Sequence, residues 1–375
     1  MVIAVNTSFI ESDFTHSNFI LECFVKIAEQ QPLHQFIYIF DSAFDERYIT
    51  SKNITPVIAG PKSKNPLLLQ YRLLYKIPAL LRKYNVDVLV SNSSVGCLRT
   101  KVPQCIIVND LFFLQQPHFY KSKWLNFYKK NTVKNVAKAK AIITTSLFLK
   151  NQIVTTYAVS EDKIDVAYAA ASNNFIPATW QQKDAIKDTY TEGLEYFLYS
   201  GPIDFNSNLI TLLKAFSFFK KRQKSNMQLV LASKNKNIDT SLIKSLASFK
   251  YRDEVKILDC LPEPLLATIT ASAYAVIYPL LYGGAATTTI EAMQTGVPVI
   301  TTTATAMPEI CGDAALYINA DDFNDIADKM MLLFKDENKR NELINKGSQQ
   351  AILFNWDKTE AAVWKAINKC INSLN

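Results

Sequence analysis

Short apolar runs alternate with longer helical or polar segments along this chain, and the alternation happens twice. No other feature restricts the fold as much, because strands separated by a helix's length of chain pair in parallel and need helices over both faces. The first series is Val2–Val5, Gln35–Phe40, Val57–Ala59, Val86–Val90, Gln104–Val108, Ala141–Thr145 and Lys163–Tyr168. Between its first two members, Leu21, Phe24, Val25 and Ala28 recur at helical spacing within Phe14–Gln30, so the chain opens on a strand–helix unit. The second series runs strand Glu195–Ser200, helix Leu209–Arg222, strand Gln228–Ala232, helix Ser241–Lys250, strand Val255–Leu258, helix Glu263–Ser272 and strand Ala273–Pro279. From Ala169 to about Gly193 the text is polar and irregular, and the inter-domain linker is expected there. Two doubly wound α/β domains follow, residues 1–175 and 190–355, with closing helices at Asp322–Phe334, Asn338–Phe354 and Trp356–Leu374. A chain of 375 residues suits two cores better than one.

With 49% hydrophobic and 20% charged residues, the composition is that of a globular protein rather than a disordered one. No apolar run reaches the roughly 18 residues of a membrane span, and MVIAVNTSFI lacks the basic flank and cleavage site of a signal peptide. The chain is expected to be cytoplasmic. Its six cysteines form no C-x-x-C pair, its three histidines are not paired at helical spacing, and Asp-x-Asp does not occur. Neither a metal nor a cofactor is therefore expected.

Charge is unevenly placed. Residues 61–140 carry fifteen Lys and Arg against only Asp87 and Asp110. Lys121–Lys140 sets Trp124, Phe127, Tyr128, Val133 and Val136 among lysines, as in a basic amphipathic helix. One reading is a helix with its apolar side on the sheet and a solvated outer face. The other is peripheral contact of face 121–140 with an anionic membrane surface or a lipid-linked acceptor. Nucleic acid is not an expected partner, since no recognised motif accompanies the charge.

The stretch Ala273–Asn319 carries the most function. Its apolar strand stops in a loop, Leu280–Ala286, whose second half has almost no side chains; a helix over Thr287–Thr295 follows, ended by Gly296, and then strand Val297–Thr302. A strand feeding a small-residue loop and a helix start directs unpaired N–H groups at whatever binds, as an anion site would. In the first half, Asn109 and Asp110 end the strand Gln104–Val108, at the edge where open α/β sheets build sites; a polar turn capping the next segment is the plainer alternative.

Tyr282, Gly284, Glu291–Ala292–Met293, Gly296–Val297–Pro298–Val299, Pro308–Glu309 and Gly312–Asp313–Ala314–Ala315 resemble the donor-site signature of the retaining glycosyltransferases of family 4 (group 1). Weaker similarity covers nearly the whole chain. The resemblance implies the GT-B fold: two Rossmann-like domains facing across a cleft, with the final helix, 356–375, packing back on the N-terminal domain. It implies a nucleotide-diphosphate sugar on the C-terminal side, a glycan or lipid-linked acceptor on the other, and no metal. The implied activity is retaining transfer of a hexose-type sugar to a polysaccharide or glycolipid precursor, with membrane association on the inner face. A non-catalytic GT-B relative acting as a binding or partner subunit is the alternative.

By the same resemblance Glu291 binds the ribose hydroxyls, and Thr287 and Thr288 start the helix beneath the diphosphate, although Thr288 and Glu291 also have capping-box spacing. Gly201, Gly283, Gly284 and Ala285 complete the donor loops. The departures concern charge. Gly283 replaces the glutamate that contacts the sugar, Asn206 and Ser207 replace an arginine and a lysine, and Asn109 replaces the histidine of a His-Asp pair in which Asp110 is kept. Lys234 and Lys236 are candidate substitute cations for the diphosphate, or else solvated loop lysines.

Overall fold

The computed structural model describes residues 1–7, 17–44, 46–60, 62, 65–92, 94–234, 240–283 and 287–372. The chain divides into two units, the first comprising Met1–Ala169 and the helix that begins at Trp356, the second Ala170–Asn355. The first unit is built from β1 (Val2–Asn6), α1 (Ser17–Gln30), β2 (Gln35–Phe40), β3 (Ile54–Ile58), α2 (Pro66–Tyr71), a π-helical segment Arg72–Lys76, α3 (Ile77–Lys83), β4 (Val88–Ser91), β5 (Gln104–Val108), α4 (Phe112–Gln115), α5 (Ser122–Lys138), β6 (Ala141–Thr144), α6 (Leu147–Tyr157) and β7 (Ile164–Val166). Its sheet has the order β3-β2-β1-β4-β5-β6-β7 and is parallel throughout. All five residues of β5 are buried, as helices on both faces require.

The second unit contains α7 (Trp180–Thr191), β8 (Tyr196–Ser200), α8 (Leu209–Gln223), β9 (Gln228–Ala232), α9 (Thr240–Ala247), β10 (Val255–Leu258), α10 (Glu263–Ala271), β11 (Ala275–Tyr278), α11 (Thr287–Gln294), β12 (Val299–Thr302), α12 (Met307–Cys311), β13 (Ala315–Ile318), α13 (Phe323–Lys335) and α14 (Glu337–Ala351). Its parallel sheet runs β10-β9-β8-β11-β12-β13, the doubly wound order. The last helix, α15 (Trp356–Asn372), buries Trp356, Thr359, Glu360, Val363, Ala366, Ile367 and Cys370, a stripe at helical spacing that lies against α1 and β4–β7. Lys369 ties it to Asp165 at 2.6 Å.

Three expectations need correction. The linker expected over Ala169–Gly193 holds α7, started by a capping box in which the Gln182 N–H donates to Thr179 Oγ1 at 3.3 Å and the Thr179 N–H to Gln182 Oε1 at 2.9 Å. α7 buries only Ile186 and Thr191, so its apolar periodicity is faint. The change of unit falls at Ala169, not at residue 175, because Phe175 is fully buried in the second unit and its carbonyl accepts from Gln294 Nε2 at 2.9 Å. The third strand begins at Ile54 rather than Val57. Pro56 interrupts the run, yet β3 is an edge strand, where a missing N–H is tolerated.

Candidate functional site

In the second unit β8 and β11 are neighbours whose helical connections leave in opposite senses, β8 toward β9 and β11 toward β12. At such a switch point the loops after the two strands part and leave a crevice at their carboxyl ends. Those loops carry Gly201, Asn206 and Ser207 on one side and Gly283, Thr287, Thr288 and Glu291 on the other, so topology brings these expected residues to one edge. Gly284, Ala285 and Lys236, also expected there, lie outside the described residues.

The first loop is shaped by Asp204, whose carboxylate accepts from the Asn206 N–H at 2.9 Å and the Ser207 N–H at 3.2 Å, while Ser207 Oγ donates to the Asp204 carbonyl. Asn206 then staples the two loops. Its Nδ2 donates to the Tyr282 carbonyl at 2.8 Å, its Oδ1 accepts from the Tyr282 N–H at 3.2 Å, and its own carbonyl accepts from the Leu281 N–H at 3.3 Å. Asn208 Nδ2 reaches the carbonyls of Pro279 at 3.2 Å and Ala320 at 2.6 Å. The two residues that stand where the resemblance implies an arginine and a lysine thus have structural work: Asn206 binds the Tyr282 backbone and Ser207 is fully buried. At Gly201 φ is +152°, and a Cβ would meet the Tyr199 hydroxyl at 3.0 Å, so a side chain there would be strained and tightly packed.

α11 has Thr288, Thr289, Ile290, Glu291, Ala292 and Met293 buried. It ends at Gly296, where φ is +74° and the Val297 N–H returns to the Ala292 carbonyl at 2.9 Å. The Thr288 side chain is hydrogen-bonded to the Tyr278 hydroxyl, whose pKa burial raises far above its ordinary value, against the effect of that bond and with the Glu291 charge adding to it. Thr288 is therefore engaged with Tyr278 from inside the helix. Glu291, 9% exposed, carries a carboxylate at this edge.

Lys234, two residues after β9, is exposed and ion-paired. Its Nζ lies 2.7 Å from Glu263 Oε2, and 5.7 Å from the centroid of the Phe175 ring. Glu263, the first residue of α10, also accepts from Ser172 Oγ at 2.6 Å and Asn174 Nδ2 at 2.9 Å. Burial works against its carboxylate, but the bonds from Lys234, Ser172 and Asn174 hold its pKa down to about 2.

In the first unit Asn109 and Asp110 follow β5. Asn109 is 2% exposed and its Nδ2 donates to Asn92 Oδ1 at 2.7 Å, while Asp110 Oδ1 accepts from the Phe112 N–H at 2.9 Å in the turn that leads into α4. The Asp110 bond is that of the polar turn, one of the two readings of this pair, and Asn109 forms a buried polar pair with Asn92 at the strand ends. After β2, Asp41 forms a buried ion pair with Arg72 of the π-helical segment, Nη1 to Oδ2 3.2 Å. Burial lowers the Arg72 pKa, and the charge and side-chain hydrogen bond of Asp41 oppose that shift.

Asp204, Asn92, Glu263 and the Asp41–Arg72 pair went unnoticed in the sequence. For Asp204 a signal was there: an Asp in the polar stretch after a strand tends to accept from the backbone N–H two residues on. The other pairings join residues 17 to 91 positions apart, or residues from separate elements, and local pattern does not reveal them.

Residues 181–350 match the family model described as "Glycosyl transferases group 1" and residues 34–170 the model "Glycosyltransferase Family 4". The chain is 24% identical over 250 residues to the O-antigen chain mannosyltransferase B of Escherichia coli, with 66% of each chain covered. It is 27% identical over 220 residues to the O-antigen chain mannosyltransferase RfbU of Salmonella typhimurium, covering 58% of this chain and 57% of that one. The matched stretches thus span less than two thirds of these relatives' lengths. Among solved structures, Anabaena Alr3699/HepE in complex with UDP-glucose superposes with a TM-score of 0.78 at 12% identity, over 98% of this chain and 99% of that one, which shows a shared fold. Two parallel-sheet units of doubly wound order and two family models covering most of the sequence lead to one conclusion: the chain belongs to glycosyltransferase family 4, the group 1 glycosyl transferases, and has their GT-B fold.

Proposed function

We propose that this chain transfers a hexose, of the mannose class, from a nucleotide-diphosphate donor to a growing surface polysaccharide or its lipid-linked precursor. The reading includes retention of anomeric configuration, no metal or other cofactor, and work at the inner membrane face with the lysine face of α5 toward the lipid. It is supported by the mannosyltransferase names of the two O-antigen relatives and by the UDP-glucose held in the Anabaena neighbour. The observation that carries it is the meeting of loops 201–208 and 279–283 at the switch point, with the Glu291 carboxylate on the helix α11. Glu291 is the proposed ribose ligand, and the first N–H groups of α11 are the proposed stabilisers of the leaving diphosphate, whose negative charge grows as the glycosidic bond breaks. Asn109 and Asp110 are the proposed acceptor-side groups.

Saturation-transfer NMR with UDP, GDP, ADP and their sugars tests the donor site. One nucleotide of the panel should bind, Glu291→Ala should weaken it about tenfold or more through loss of a charged hydrogen bond, and transfer should persist in EDTA. Silence across the panel would replace this reading with that of a non-catalytic relative, whose motivation is the structural use already made of Asn206 and Ser207.

A further inference from the structure

Four of the large apolar side chains left exposed on the first unit lie together on one ridge, whereas Leu33, Ile58 and Leu147 are exposed singly elsewhere. Leu67 is 78% exposed, Tyr71 48% and Tyr75 50%, and they follow one another at i, i+4 and i+8 along α2 and the π-helical segment, with Leu68 beside them at 37%. The opposite side of the same rod, Leu69, Arg72 and Leu73, is buried, so the ridge is the outward face of an amphipathic element. The Tyr71 and Tyr75 rings lie 5.4 Å apart, and the exposed Arg99 guanidinium stands 4.9 Å from the Tyr75 centroid. The loop carrying Arg99 is gripped from α5, because Lys138 Nζ donates to the carbonyls of Leu98 at 2.7 Å and Thr100 at 2.8 Å. α2 also packs on α5, whose outward residues include Lys123, Lys129, Lys130 and Lys134. Ridge, loop and lysine helix therefore form one surface within the region that carries fifteen basic residues and two acids.

We infer that this surface docks on an anionic lipid bilayer, with the α2 ridge as the part that inserts. Leucines reach below the headgroups, tyrosine rings sit at headgroup level with their hydroxyls wet, and Arg99 with the α5 lysines meets lipid phosphates. A neutral glycan stacked on the two tyrosines would use neither the leucines nor the cations, which favours lipid. The inference deepens the proposed function by assigning insertion to α2 and leaving to α5 the electrostatic attraction. It is tested with neither donor nor acceptor present, so its failure leaves glycosyl transfer standing.

The experiment uses the full chain and vesicles of phosphatidylcholine with or without phosphatidylglycerol. Leu67→Ser/Tyr71→Ser/Tyr75→Ser alters only exposed positions and should lower partitioning onto anionic vesicles about tenfold or more, with residual binding that salt removes. Lys129→Ala/Lys130→Ala/Lys134→Ala should weaken low-salt binding, yet Tyr75→Trp placed in that background should still shift its emission to the blue on the vesicles that bind it. The inference is overturned if the serine variant binds like the parent chain, if Tyr75→Trp emission is unmoved by anionic vesicles, or if it responds to a soluble mannan oligosaccharide instead.

Discussion

Glu263 offers a direct test of how the second unit holds the segment that enters it. Its carboxylate gathers Ser172 Oγ at 2.6 Å, Asn174 Nδ2 at 2.9 Å and Lys234 Nζ at 2.7 Å, joining the first residues of the unit to α10 and the end of β9. A pKa moved from the ordinary 4.5 to about 2 corresponds to about 3 kcal/mol of stability at neutral pH, at about 1.4 kcal/mol per pKa unit. Because the folded pKa is the depressed one, this contribution is fully present above about pH 4.5 and is lost as pH falls toward 2. Glu263→Gln keeps the shape and one acceptor but removes the charge, so it should cost about 2–3 kcal/mol at pH 7 and less than half of that near pH 3. Urea unfolding of both proteins at the two pH values, with hydrogen exchange of β8 and β9 peptides to isolate the second unit, measures the gap. A difference below about 0.5 kcal/mol at pH 7, or one that does not narrow on acidification, refutes the argument.

Two further substitutions probe the candidate sites. Asn206→Ala removes both side-chain bonds to the Tyr282 backbone and should destabilise the second unit by about 1–3 kcal/mol, with faster hydrogen exchange in peptides spanning 279–283; unchanged exchange there would show that the staple does not hold the loop. Arg72→Met leaves Asp41 buried without its cation and should cost about 3–5 kcal/mol, whereas Arg72→Met/Asp41→Asn should recover much of the loss. Equal losses in the single and double variants, measured by urea unfolding, would show that the guanidinium rather than the pairing matters.

Much of the fold was legible residue by residue, and the exceptions have physical causes. The run Gln104–Val108 emerges as β5 with the expected bounds because a strand buried on both faces must be apolar throughout. α7 was overlooked because a helix lying mostly in water needs few apolar residues; its Thr179–Gln182 cap was the readable sign. At the candidate site the sequence pointed to Glu291 and to the loops around Gly201 and Gly283, since glycines and a helix start are local features. It offered Asn206, Ser207 and Lys234 as donor-side residues, but not the chain-distant partners that two of them have, Tyr282 for Asn206 and Glu263 for Lys234.

By itself the sequence determined the alternation of elements, and through it two parallel sheets, because apolar period and helix spacing act over a few residues. Only the tertiary structure decided which polar groups meet. A hydrogen bond depends on distances of about 3 Å, and strand order brings loops 201–208 and 279–283 to one edge although Asn206 and Tyr282, which bond there, lie seventy-six residues apart in the chain. The stapled loops and the Glu291 carboxylate at the β8/β11 switch point belong to that second kind of information, as does the outward ridge of α2.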